Sequence, residues 1–138
     1  MKRATRLSRV TAPTVRQHFV GRDPIVRAIY DRIISVAEAL GPTEQDPKKT
    51  SIHLNPHPSA HRTRAGDPGR RSAFAGIATR KDALILTLKA ETDIRSPRIF
   101  KREQASASRW YLYLRLEDPS QVDQELTAWL KQSFELSD

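Results

Sequence analysis

The stretch that most constrains the fold runs from Ser108 to Glu135, because it combines a strand, a sharp boundary and an amphipathic helix. Alternate residues of a strand face opposite sides of a sheet. One side of this strand is apolar and consists of Trp110, Leu112, Leu114 and Leu116. The other side is polar and basic and consists of Arg109, Tyr111, Tyr113 and Arg115. The pattern predicts a sheet with one covered side and one open, basic side.

The second half of the same stretch predicts a helix that begins at Asp118. Asp is a good N-cap, Pro119 suits the first helical position, and Gln121 completes a capping-box pattern. Apolar residues then recur at helical spacing, namely Val122, Leu126, Trp129, Leu130 and Phe134. We interpret both Trp110 and Trp129 as core residues rather than as ligand platforms.

The upstream part of the chain predicts one more helix and three more strands. Asp23-Pro24 starts the helix and Gly41-Pro42 ends it, with a short helical turn before it over residues 13–20. The strands are expected over residues 47–54, 72–78 and 83–90. Two long loops are expected over residues 55–71 and 91–107.

These elements predict an α+β fold, since helices with one apolar stripe can cover strands with one apolar side. We expect a four-stranded, largely antiparallel sheet, with two main helices packed on one face and a short N-terminal helical turn. Residues 13–138 are expected to form this single domain. Residues 1–12 are expected to form a basic, flexible tail.

The charge of the chain indicates the classes of partner that suit it. There are 24 Lys and Arg residues against 16 Asp and Glu, a net charge of +8. Such an excess favours nucleic acid, an acidic protein or another anion. Four of these cations lie in the expected tail, namely Lys2, Arg3, Arg6 and Arg9.

Composition also excludes several classes of site. The chain has no cysteine, which excludes disulfides, thiol nucleophiles and cysteine-ligated zinc. No apolar run is long enough to span a membrane, and the basic start lacks the apolar segment of a signal peptide. We therefore expect a cytoplasmic protein that does not contact a membrane.

Several short motifs, taken in order, are similar to those of a known family. They are Gly41-Pro42, Pro47-Lys48-Lys49-Thr50, Ser72-Ala73-Phe74-Ala75, Arg109-Trp110, Val122-Asp123 and Trp129-Leu130. In this order and spacing they resemble the bacterial domain-of-unknown-function family 5655, from about Val15 to Phe134. The resemblance implies a small α+β domain, found alone or joined to other bacterial domains, and it implies no established chemistry.

The family also looks distantly similar to small double-wing domains that are suspected of binding DNA, which is an analogy of fold. The chain departs from the family pattern in two places. The loop over residues 55–71 is longer than usual, and Tyr111 and Tyr113 stand where relatives would have histidine or another polar residue. A function that depends on those histidines is therefore in doubt for this chain.

The open, basic side of the sheet is the candidate site. It is expected to carry Lys49, His53, Lys89, Arg109, Tyr111, Tyr113 and Arg115. Cations can follow phosphates, and tyrosine rings can stack on bases. Three interpretations stay open at this point: nucleic-acid binding, binding of a small anionic ligand, and a solvated face without a ligand.

A metal site is not expected from the histidines. His53, His57 and His61 are spaced by four residues, which would align them on a helix. Pro56 and Pro58 prevent a helix there, and no acid or cysteine lies close by to complete a ligand set.

Catalysis has little support in the sequence. Glu91 and Asp93 follow Lys89, whereas a nuclease-like strand needs the acid before the lysine. We predict no catalytic residue and no cofactor. The expected function is a non-enzymatic binding module for an anionic partner, foremost nucleic acid. The alternative is an adaptor that binds an acidic protein, and a metal-dependent enzyme is the third and least supported hypothesis.

Overall fold

A computed structural model describes residues 12–57 and 73–137 of the chain. The strands are β1 (Thr43–Pro47), β2 (Ile52–Pro56), β3 (Ala75–Thr79), β4 (Leu84–Ala90), β5 (Ile99–Ser106) and β6 (Arg109–Leu116). The helices are α1 (Pro24–Leu40) and α2 (Gln124–Leu136), with 3₁₀ turns at Arg16–Phe19 and Pro119–Gln121. All described strand pairs are antiparallel, in the order β1-β2-β3-β4-β6-β5.

The predicted α+β class is therefore confirmed, with two main helices and an antiparallel sheet. The predicted number of four strands is wrong, because the described part of the chain contains six. Most of the predicted tail and most of the predicted loop over residues 55–71 lie outside the described residues, as does His61.

Helix α1 forms where the sequence predicts it. The Asp23 carboxylate accepts a hydrogen bond from the Ile25 N–H at 3.0 Å, and Pro24 takes the first helical position. Gly41 ends the helix by donating its N–H to the Ala37 carbonyl at 3.2 Å. The buried stripe of the helix consists of Val26, Ile29, Tyr30, Ile33 and Ala37.

The core lies between the two helices and one face of the sheet. Strand register places Ile52 beside Ile77, Ile77 beside Leu86 and Leu86 beside Leu114, so that these apolar side chains form one row across four strands. All four are buried and belong to the same core as the helical stripes. We call this the helix-covered face, and the alternate residues of the same strands form the open face.

The predicted strand over residues 47–54 is confirmed from Ile52 to Leu54 but wrong before Ile52, because the segment contains a reversal of the chain. Strand β1 ends at Pro47, residues 48–51 turn, and β2 begins at Ile52. Strand β1 lies at the edge of the sheet and is mostly polar, with Glu44 and Gln45 exposed to solvent. An edge strand of this kind lacks the apolar alternation on which strand prediction depends.

The predicted loop over residues 91–107 contains the other edge strand, β5. Only Ile99 is buried within it, and most of the remaining side chains face solvent. Its pairing with β6 is interrupted by two register shifts, one near Phe100 and one near Ala105. Charged residues and irregular pairing are common in edge strands, because they discourage pairing with another chain.

The predicted start of the second helix is wrong, because the helix has Asp123 and not Asp118 as its N-cap. Asp118 and Gln121 do form a capping box, but it closes the 3₁₀ turn at Pro119–Gln121. Helix α2 begins later with Asp123 as its N-cap, whose carboxylate accepts from the Leu126 N–H at 3.1 Å. The Arg98 guanidinium lies 3.0 Å from the same carboxylate and links β5 to the start of α2.

We expect Asp123→Ala to destabilise the protein in a pH-dependent way. The Leu126 N–H first, and Arg98 next, hold the pKa of the Asp123 carboxyl below its ordinary value. The folded state therefore favours the ionised form, and this stabilisation is present above the unfolded pKa of about 4 and is lost at lower pH. Loss of the N-cap costs about 1 kcal/mol at neutral pH.

Chemical denaturation at about pH 7 and at about pH 3 would measure this difference. Asp31→Ala is the control, because Asp31 is exposed in the middle of α1, where its carboxylate forms a surface ion pair with Arg27. An equal loss of stability from Asp123→Ala at both pH values would contradict the prediction.

Candidate functional site

The open face carries most of the residues that the sequence predicts for the site. His53, Lys89 and Tyr111 lie on it, and so do Arg109, Tyr113 and Arg115, because they alternate with the buried residues of their strands. The register brings Lys89 beside Tyr111, and Thr87 beside both Gly76 and Tyr113. Lys49 is the exception, since it lies exposed in the turn between β1 and β2. Its predicted position on the sheet face is wrong, because β1 ends two residues earlier.

A cleft of about 610 Å³ opens on this face above β2, β3, β4 and β6. Its floor contains Gly76 and Ala78, whose small size leaves room above the sheet. Its polar lining consists of Ser51, His53, Thr87, Lys89, Arg109 and Tyr111. None of the described lining residues is acidic. The cleft therefore concentrates positive charge, and a volume of this size suits a small ligand or part of a larger one.

The end of α2 closes one end of the cleft. Strand β3 pairs with β4 only as far as Leu88, and at Lys89 the backbone N–H donates to the Ser133 hydroxyl of α2 at 2.9 Å. The Ser133 hydroxyl in turn donates to the Phe74 carbonyl at 2.5 Å. The Lys89 ammonium donates to the Ser137 hydroxyl at 2.9 Å. These contacts fix the backbone and the side chain of Lys89 at the closed end.

Electrostatics at this end favour an anion. Burial first, and the positive charge of Arg109 second, lower the pKa of Lys89 to about 8. Nη1 of Arg109 is excluded from solvent and has no hydrogen-bond acceptor within the described part of the chain. A buried guanidinium N–H without an acceptor is unfavourable, so an oxygen of a ligand would satisfy it.

The outer half of the open face is already satisfied by contacts within the protein. The Tyr113 hydroxyl donates to the Glu103 carboxylate at 2.7 Å, and this bond, followed by burial, raises the pKa of Tyr113 to about 12. The Lys101 ammonium lies 5.0 Å from the centre of the Tyr113 ring. Arg115 lies 2.9 Å from the Glu117 carboxylate. Tyr113 and Arg115 therefore differ from the cleft residues, because they pair with acids of the protein and do not line the cleft.

The basic cluster over residues 95–102 is likewise paired with acids. Arg95 and Arg102 both contact the Asp93 carboxylate, and Arg98 contacts Asp123 and Glu125. Arg98 thus joins the segment before β5 to the start of α2, and Arg102 joins β5 to Asp93 in the same segment. The sequence offered a signal for this pairing, because Asp93 and Glu103 lie within or beside the same basic stretch.

Sequence reasoning missed two contributors to the open face. Phe100 is 59% exposed, and its ring lies 6.4 Å from that of Tyr113. It was hidden in a segment that the sequence predicts to be a loop. Gly76 was missed because a glycine within a predicted strand does not by itself indicate a cleft.

No metal centre or membrane span is found in residues 12–57 and 73–137. Within these ranges, no three His, Asp or Glu side chains come together in a way that could hold a metal ion. His53 lines the cleft and His57 directly follows β2. Neither helix in the same ranges is long and apolar enough to cross a membrane.

Comparison with known protein families gives a match over most of the chain. The family model described as a domain of unknown function, DUF5655, matches residues 15–137, which is nearly the whole chain. No curated protein and no solved structure matches the chain.

Proposed function

This chain belongs to the DUF5655 family, which has no assigned function, and from that premise we propose that it is a non-enzymatic binding module for an anionic partner, namely single-stranded nucleic acid. One observation carries the proposal. The open face holds a cleft that is lined by Lys89 and Arg109 and has no acid among its described lining residues.

The order of residues along β6 favours a nucleotide as the unit that is bound. Arg109 and Tyr111 lie two positions apart on the same face, which is about 7 Å along a strand. A guanidinium can hold a phosphate, and a phenol ring at this spacing can stack on the base of the same nucleotide. A flat sheet surface with aromatic and basic side chains is a common platform for single-stranded nucleic acid.

An adaptor for an acidic protein is the second candidate. It is favoured by Phe100, which is exposed on the edge strand β5 beside Lys101. An edge strand can add a strand from a partner, and an exposed aromatic residue can anchor it. The two candidates use different parts of the open face, so variants of the cleft discriminate between them.

Arg109→Ala is expected to weaken binding of a single-stranded oligonucleotide at least about tenfold, because it removes a charge-assisted contact worth about 1.5–3 kcal/mol. Arg115→Ala is the matched control. It removes the same charge from the same face of the same strand, but Arg115 already pairs with Glu117. We expect it to weaken binding less than about threefold. Fluorescence anisotropy at two salt concentrations would measure both effects, since phosphate contacts weaken steeply with salt.

Gly76→Val extends the same experiment without changing charge. A Cβ at Gly76 would lie 3.6 Å from the Thr87 Cβ, which is ordinary contact, so the strand can accept a side chain there. The valine would fill the floor of the cleft and should abolish binding while the protein stays folded.

Equal effects of Arg109→Ala and Arg115→Ala would contradict a site in the cleft. Absence of binding at low salt would remove the nucleic-acid proposal, and capture of an acidic peptide by β5 would favour the adaptor.

A further inference from the structure

The floor of the cleft follows strand β3 along the open face. The residues of β3 on this face are Gly76 and Ala78, and both are small. The neighbouring strands carry larger side chains beside Gly76, namely His53 on β2 and Thr87 on β4. Small residues between two taller rows of side chains leave a trough, because side chains stand out from the plane of a sheet. The cleft therefore has a direction, which is that of β3.

In one direction the cleft leads towards two turns at the same end of the sheet. The β1–β2 turn consists of residues 48–51, and the β3–β4 turn consists of residues 80–83. They lie at the same end because β2 begins where β3 ends in the antiparallel pair. Ser51 of the first turn lines the cleft together with Ala78. A ligand that follows β3 away from α2 therefore leaves the cleft beside these two turns.

The segment before α1 holds both turns in place. The His18 ring donates from Nε2 to the Lys48 carbonyl of the first turn at 2.8 Å. The Asp23 N–H donates to the Lys81 carbonyl of the second turn at 2.7 Å. Because one short segment binds the backbone of both turns, their relative position is set before a ligand arrives. Such preorganisation lowers the entropic cost of binding.

Both turns offer positive charge to an anion. Lys49 is exposed in the first turn, and Lys81 is exposed in the second. The acids beside these lysines already pair with other cations, namely Asp46 with Lys48 and Asp82 with Arg115. The charge of Lys49 and Lys81 therefore suits a phosphate that has left the cleft.

The length of the sheet sets how many nucleotides separate these turns from Arg109. Arg109 lies one residue beyond the pair of Trp110 with Ala90, at the other end of β4. Strand β4 contains seven residues, from Leu84 to Ala90, and spans about 20 Å. An extended single strand advances by roughly twice the 3.4 Å duplex rise at each nucleotide. Arg109 and the two turns are therefore about three to four nucleotides apart.

We infer that the bound strand runs from Arg109 along the cleft to the two turns, where Lys49 and Lys81 contact a second phosphate. This inference rests on the proposed function, because it specifies the path and the length of the nucleic acid in the same site. The ligand is then a stretch of about four nucleotides of single strand, and a single nucleotide fills only part of the site.

The first test measures how affinity depends on length, with labelled oligothymidylates of two, four and six nucleotides. A dinucleotide is too short to reach from Arg109 to the turns, whereas a tetranucleotide can contact both. We expect affinity to rise at least about tenfold from two to four nucleotides, and less than about threefold from four to six.

The second test removes the distant contact. Lys49→Ala should weaken binding of the hexanucleotide at least about threefold and should lower the slope of log K against log salt by about 0.7, the contribution of one phosphate contact on a single strand. Lys81→Ala should act in the same direction. Lys131→Ala is the matched control, because it removes the same charge from an exposed position of α2, which covers the opposite face. We expect it to leave the salt slope unchanged.

Equal affinity for two and four nucleotides would overturn this inference, and so would an equal salt slope for Lys49→Ala and Lys131→Ala. Salt-sensitive binding that depends on Arg109 would, in either case, still support the proposed function. Absence of binding by every oligonucleotide at low salt would overturn both.

Discussion

Ser133→Ala is expected to lower the free energy of unfolding by about 3 kcal/mol. The Ser133 side chain is fully buried, and its hydroxyl donates to the Phe74 carbonyl while accepting from the Lys89 N–H. Alanine would remove this hydroxyl, and both the buried Phe74 carbonyl and the buried Lys89 N–H would lose the hydrogen bond that it makes with them. Each such group costs about 1–3 kcal/mol, which is a large share of the stability of a domain of this size.

Urea denaturation followed by tryptophan fluorescence would measure this loss. Ser35→Ala is the matched control, because Ser35 is exposed on α1 and alanine has the higher helix propensity. We expect the control to change stability by less than about 0.5 kcal/mol. A similar small change for Ser133→Ala would mean that α2 is not held to β3 and β4 by this hydroxyl.

Leu86→Ala is expected to destabilise the protein by about 3 kcal/mol or more, because it leaves a cavity in the centre of the core. Leu86 is fully buried and lies between Ile77 and Leu114 in the row of the helix-covered face. Its chain neighbour Ile85 points to the open face and is only half-buried. Ile85→Ala should therefore cost about 1 kcal/mol.

The comparison of Leu86→Ala with Ile85→Ala tests which face of the sheet the helices cover. Both variants remove a similar apolar volume from adjacent positions of β4, so that strand propensity and chain position are matched. Thermal or urea denaturation gives the two values. A larger loss of stability from Ile85→Ala would mean that the helices cover the face that carries Ile85. The cleft residues would then be covered and could not form a binding surface.

The central elements could be predicted from the sequence because their side chains have two different environments. Strand β6 alternates between Leu112 or Leu114 in the core and Tyr111 or Tyr113 on the open face, and this contrast is visible as a period of two. Helix α1 has Asp23 at its start and Gly41 at its end. For such elements, tertiary packing and local sequence indicate the same structure.

The two edge strands could not be predicted because they lack that contrast. In β5 only Ile99 is buried, and β1 has no apolar face towards the helices that the sequence could reveal. Their residues are held by hydrogen bonds to a neighbouring strand, and backbone pairing leaves no mark on side-chain polarity. The second helix was placed too early for a different reason, since Asp118 and Asp123 both have the chemistry of an N-cap and the fold uses each for a different turn.

The sequence could predict which face of the sheet carries the candidate site, but it could not predict the cleft on that face. Alternation along β6 placed Arg109 and Tyr111 together on the open face, as the structure has them. The partners of Tyr113 and Arg115 could not be predicted, because Glu103 comes from the unrecognised strand β5 and the pairings depend on strand order. The cleft itself depends on Gly76 lying beside Thr87, which is a fact of register.

At Lys89 the backbone N–H of β4 bonds to Ser133 of α2 instead of to β3. This contact has a consequence for how such a domain could diversify. One end of the cleft is bordered by the last turn of α2, which lies outside the sheet. Conservative substitutions on that helix could shift the closed end slightly and so change which ligands the cleft accepts. The strand pairing of the sheet could meanwhile stay unchanged.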